Sequence, residues 1–153
     1  MTTDYIVASL PVLTFGEKPA ITSAGLAELA GDRLAKPLAR WRDLEAQLRN
    51  AMAVCRGGGE KDLRQVDGCS QYWKSRVLQC FEEKDVFKRD ELLDRVWWDA
   101  AGELTPSASP LGVGALATYS VRLKIAEKRA LISTSQGNAL FDTLVERSGA
   151  QAQ

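Results

Sequence analysis

Histidine is absent from this sequence. That removes the side chain that titrates nearest neutral pH and serves most often as general base or metal ligand, so the common hydrolase mechanisms lack a member. Cysteine is scarce as well. Cys55, Cys69 and Cys80 are odd in number and far apart, which suits neither a disulfide framework nor the close pairs of a zinc site. Reduced thiols are expected, with Cys55 and Cys80 serving as small apolar residues on helix faces, and no metal or cofactor is expected. Net charge is missing too: twenty basic residues balance twenty acidic ones. No general field gathers phosphates, and nucleic acid is not an expected partner. Long apolar runs are lacking. The longest uncharged stretch, 104–121, contains Pro106, Pro110 and Gly112 and reads as a loop entering a helix, not as a membrane span. Asp4 stands where an export signal would carry Lys or Arg, and Pro11 interrupts the first apolar run, so a cytoplasmic location is expected.

What is present is an ordinary globular composition, 45% hydrophobic and 26% charged, at a length that supports one packed core. A single helical domain over 1–153 is the reading. Pro11, Gly16 and Pro19 predict an extended N-terminal segment over 1–21. Ser23 can cap a short helix carrying Leu26, Leu29 and Ala30, closed by Gly31. Pro37 suits the first turn of the next, in which Leu38, Trp41, Leu44, Leu48, Met52 and Cys55 recur at steps of three and four. Linkers are expected at 57–69 and 105–112. Between them Ser70 can cap a helix with Trp73, Val77, Cys80 and Phe81, and Asp85 one with Leu93, Trp97, Ala100 and Leu104; the two could run together. A C-terminal pair starts near Val113, and Ser133 with Gln136 reads as a capping box opening a last helix carrying Leu140, Phe141, Leu144 and Val145. The predicted class is all-α, a compact domain of about five to six helices.

Chemistry-bearing motifs are few. Gly57, Gly58 and Gly59 precede Lys61, but Asp62 follows where a phosphate loop needs Ser or Thr opening a helix, so a linker is expected. Glu82, Glu83 and Asp85 lie among Lys84, Lys88 and Arg89, the mixed pattern of a solvated face. Candidate contact residues come instead from helices with two apolar faces. At about 100° per residue, Phe87 and Trp98 share one side of their helix, away from the Leu93, Trp97 and Leu104 stripe. The N-terminal segment or a partner must cover them. The helix from Val113 carries Leu116, Tyr119, Leu123 and Leu131 on one side and Val121, Ile125 and Ile132 roughly opposite, and so is sandwiched by the chain or by a partner. Glu127 falls in the first stripe and should meet a base or lie at the rim.

That helix, Leu116-Ala-Thr-Tyr-Ser-Val-Arg-Leu-Lys-Ile-Ala-Glu-Lys128, is similar to the C-terminal helix motif of the C subunit of V/A-type ATPases and of a family of unknown function encoded in bacterial V-type ATPase operons. Leu116, Tyr119, Arg122, Leu123, Ile125 and Glu127 match, and Gly137, Phe141, Leu144 and Glu146 continue the pattern. Tyr5 to Pro11 with Lys18-Pro19 resembles that family's N-terminal signature, Leu48-Arg-Asn-Ala51 its helix after the first linker, and Leu93 to Asp99 its penultimate region. The chain is shorter than typical members, shows no internal repeat, and has Arg129 where the family often has Trp. The resemblance implies a non-catalytic component like the C subunit in a proton- or sodium-transporting V-type ATPase, peripheral to the membrane, touching the central stalk and the membrane ring. Two other readings stay open: a helical adaptor with an unrelated partner, and a small enzyme using carboxylate and lysine acid-base chemistry.

Overall fold

The computed structural model describes residues 1–65, 68 and 70–151, with side chains described in the last helix for 113–135 and 144–146. Helix makes up 73% of the chain, about twice the usual share, and no strand occurs among the described residues. In chain order the α-helices are α1 (Thr3–Ser9), α2 (Ser23–Ala30), α3 (Ala35–Cys55), α4 (Gln71–Cys80), α5 (Val86–Ala101) and α6 (Val113–Gln151), with single 3₁₀ turns at Gly31–Leu34, Glu60–Asp62 and Gly102–Leu104.

Local chemistry explains most boundaries. Ser70 accepts a hydrogen bond from the Trp73 amide, and the Asp85 carboxylate accepts from the amides of Phe87 and Lys88, so α4 and α5 start at their own caps and are separate helices. At the end of α3 the chain turns through Gly57 at φ 81°. There the Gly57 and Gly58 amides take up the Val54 and Ala53 carbonyls, which the helix end would leave bare.

Three expectations are corrected. Residues 1–21 are not extended throughout: 3–9 form α1, because Ile6 can be buried against α6. The helix stops at Leu10, whose extended backbone is what a following proline requires. The cap of α2 is Thr22, whose hydroxyl accepts from the Gly25 amide, and not Ser23. No helical pair follows residue 112 either. α6 runs unbroken for 39 residues, about 58 Å at 1.5 Å per residue, with Ser133 and Gln136 inside it. No proline interrupts it, and continuing satisfies the backbone groups that a break would orphan. The Thr134 hydroxyl bonds back to the Ala130 carbonyl and fits within the helix.

Two clusters of buried side chains meet along α6. The larger joins α3, α4, α5 and α6 through Leu48, Val77, Ala100 and Ala117. The smaller sets Ile6 of α1 and Leu26 of α2 against Leu116 and Leu123. α6 enters its site through Gly114, where a Cβ would lie 2.0 Å from the Leu104 carbonyl oxygen; only glycine permits that approach. Thr118, nearly buried, places its hydroxyl 2.8 Å from the Ala101 carbonyl and 2.7 Å from the Thr105 hydroxyl, donating to one and accepting from the other. No described helix is long and apolar enough to cross a membrane.

Candidate partner-binding groove

The five candidate contact residues separate into four places. Trp98 is half-buried: Phe15 of the N-terminal segment meets its ring edge-on at 5.5 Å, and the Arg122 guanidinium lies 5.4 Å from its centroid. Arg122 also donates from Nε to the Trp98 carbonyl at 2.9 Å, and burial lowers its pKa from the ordinary value. The N-terminal segment therefore covers Trp98, but not Phe87, which is 73% exposed in the first turn of α5. Ile132 is partly exposed, one turn beyond the point where α6 is tied to α5. Val121 and Ile125 are neither free nor fully sealed, and they lead to the groove.

Between α3 and α6, with α5 beneath, two adjoining cavities of about 260 and 270 Å³ share Glu45, Trp97, Lys124 and Ile125. Together they form one trough. Its floor is the open edge of the main core: Trp41, Leu93, Val121 and Ile125 are each 7–8% exposed, whereas Leu48, Val77, Ala100 and Ala117 are at 0%. Trp97 lies half-exposed in the middle.

The walls are charged. On α3 stand Arg42, Glu45, Arg49 and, just past the helix, Arg56; on α6 stand Lys124 and Lys128; α5 contributes Asp90 and Asp94. The carboxylates are already engaged. Glu45 pairs with Arg49 at 3.6 Å. Asp94 meets Lys128 at 2.8 Å and Arg129 at 3.2 Å, and Asp90 meets the same two cations at 3.5 and 2.9 Å. Arg42 and Lys124 have no carboxylate partner among the described residues, and Arg56 lies 5.9 Å from the centroid of the Phe81 ring. In a neutral chain the groove is locally cationic.

Arg129 is thus an α5–α6 tie in this fold, half-buried between two aspartates. Glu127 meets no base among the described residues. Its carboxylate accepts from the amide and the hydroxyl of Ser23, so α6 stabilises the positive N-terminal end of α2, which satisfies a partly buried carboxylate as well as a cation does. The acidic group near α5 is structural. Asp85 caps, the Glu83 carboxylate accepts from the Asp85 amide, and the Glu83 carbonyl accepts twice from Arg89. After the three glycines comes one 3₁₀ turn and no longer helix. Cys69 and the side chains of Gln136, Gly137, Leu140 and Phe141 lie outside the described residues, and among the described residues no three acidic or thiol groups gather to hold a metal ion.

Sequence reasoning missed the α3 wall, although its signal is periodic: Leu38, Arg42, Glu45, Arg49, Met52 and Arg56 recur at steps of three and four, and the arginines recur every seventh residue. No protein family, curated protein or solved structure matches this chain.

Proposed function

We propose that this chain is a non-catalytic accessory component of a bacterial V-type ATPase, similar to its C subunit and acting by protein contact between the rotor shaft and the membrane ring. The observation that carries the binding part of this reading is the cationic groove whose floor is the open edge of the core. The order of sequence resemblances, from Tyr5 to Glu127, supports the ATPase part. A contact role also accounts for α6, whose outer half exposes Leu131, Leu144 and Val145 beyond the ties at Lys128 and Arg129. The carboxylates of the groove are held by cations, which suits recognition better than proton transfer.

The test is affinity purification of the tagged full-length chain from cells that express the ATPase, followed by identification of what remains bound at moderate salt. Stalk or ring subunits in stoichiometric amount are expected. A chain that returns with a different stoichiometric partner, or with none, refutes the ATPase assignment; a different partner would make it a helical adaptor.

A further inference from the structure

We infer that the α3–α6 groove receives an acidic, amphipathic segment of a partner protein, with apolar side chains on Trp97, Val121 and Ile125 and carboxylates on Arg42, Arg56 and Lys124. The inference rests on the chain's acting by protein contact, not on which complex it joins.

Length argues first. The α3 wall runs from Leu38 to Met52, about 21 Å along the helix at 1.5 Å per residue. A compact small molecule would fill only one of the two cavities, while a peptide of four turns spans both. Grooves of this kind are read by helices whose apolar anchors recur at three and four residues. The floor argues next, because residues of the main core keep measurable exposure along this trough, and Trp97 offers the flat apolar surface typical of contact centres.

Charge selects the occupant. Every carboxylate of the groove is paired within the chain, while Arg42 and Lys124, one on each wall, have no carboxylate partner among the described residues and Arg56 rests beside a ring. An acidic segment gains at both walls, whereas a basic one meets uncompensated like charge. Small charge-paired surfaces tune association more than stability, since Arg42 and Lys124 are exposed.

The test uses the full-length chain and a fluorescein-labelled helical peptide of about 16 residues, about 24 Å long, with leucines at three- and four-residue steps flanked by glutamates. Fluorescence anisotropy should show saturable binding that weakens with ionic strength. Arg42→Glu with Lys124→Glu should reduce affinity about tenfold or more without moving the melting temperature, and Lys74→Glu on α4 should leave it unchanged. Twin peptides with lysine for glutamate, or serine for leucine, should not bind. The inference is overturned if the acidic peptide does not bind, if both charge twins bind alike, or if the groove variants bind normally. It is also overturned if vesicles of phosphatidylcholine and phosphatidylglycerol, and not the peptide, lose binding in the double variant, since the cations would then serve a membrane surface. ATPase subunits retained without peptide binding would sink the groove alone. Peptide binding without ATPase subunits would sink only the assignment to that complex.

Discussion

The two apolar stripes of α6 are closed to different degrees. On one side Leu116 and Leu123 are wholly buried by α1 and α2, and long-range hydrogen bonds join the seam: Tyr119 donates to the Pro11 carbonyl at 2.6 Å, and Glu127 accepts from Ser23. On the other side Val121 and Ile125 join the main core but stay at the edge of a charged groove. The first stripe serves stability at Leu116 and Leu123, while Leu131, farther along it, is exposed. The second is buried at Val121 and Ile125 but keeps 7–8% exposure there, against none at Leu116 and Leu123.

The largest effect should come from Leu123→Ala. A wholly buried leucine replaced there leaves a cavity between α6 and the N-terminal helices, and a loss of about 2–5 kcal/mol is expected in urea unfolding, with an unchanged slope. Ile125→Ala should cost less, near the lower end of about 2–5 kcal/mol, because solvent in the groove can reach the vacated space. Equal costs at the two positions would mean that both stripes are sealed alike, and would break the comparison.

Next is Glu127→Ala, which strips the acceptor from the start of α2. A loss of about 1–2 kcal/mol is expected, the range for a lost cap near a helix N-terminus. Glu127→Gln, which keeps a carbonyl acceptor, should recover part of it. Should the alanine variant melt like the parent, the α2–α6 seam would rest on apolar contact alone.

The smallest effect sharpens the same seam by pH. Burial raises the Tyr119 hydroxyl above its ordinary value, so the folded state holds the proton more tightly than the unfolded chain. Its contribution is complete below the unfolded pKa of about 10 and is lost as pH rises through the folded value. Tyr119→Phe should cost about 1 kcal/mol near neutrality by leaving the Pro11 carbonyl unpaired. The gap to the parent should close in alkaline solution. A phenylalanine variant as stable as the parent near neutrality would show that the ring, not the hydroxyl, holds the N-terminal segment.

Much of the fold was legible locally. The α3 stripe of Trp41, Leu44 and Leu48 and the caps Ser70 and Asp85 depend on residues within one or two turns of each other, and they stand where the pattern put them. The misreadings have physical causes. Ile6 became helical because α6 offers it a place to be buried. Ser133 carries the chemistry of a cap, but a cap acts only where the backbone leaves the helix, and nothing there makes it do so. Trp98 and Phe87 share a face in sequence, yet Phe15 reaches only one of them.

By itself the sequence determined that the chain is helical, where most helices begin, and that α6 has two apolar sides, because hydrogen-bonded caps and the 3.6-residue period are properties of neighbouring residues. Only the tertiary structure decided which of those sides is sealed. That choice rests on contacts such as Ser23 with Glu127, 104 residues apart, and Pro11 with Tyr119, 108 apart, and on α3 and α6 flanking a cationic trough along the rim of the main core.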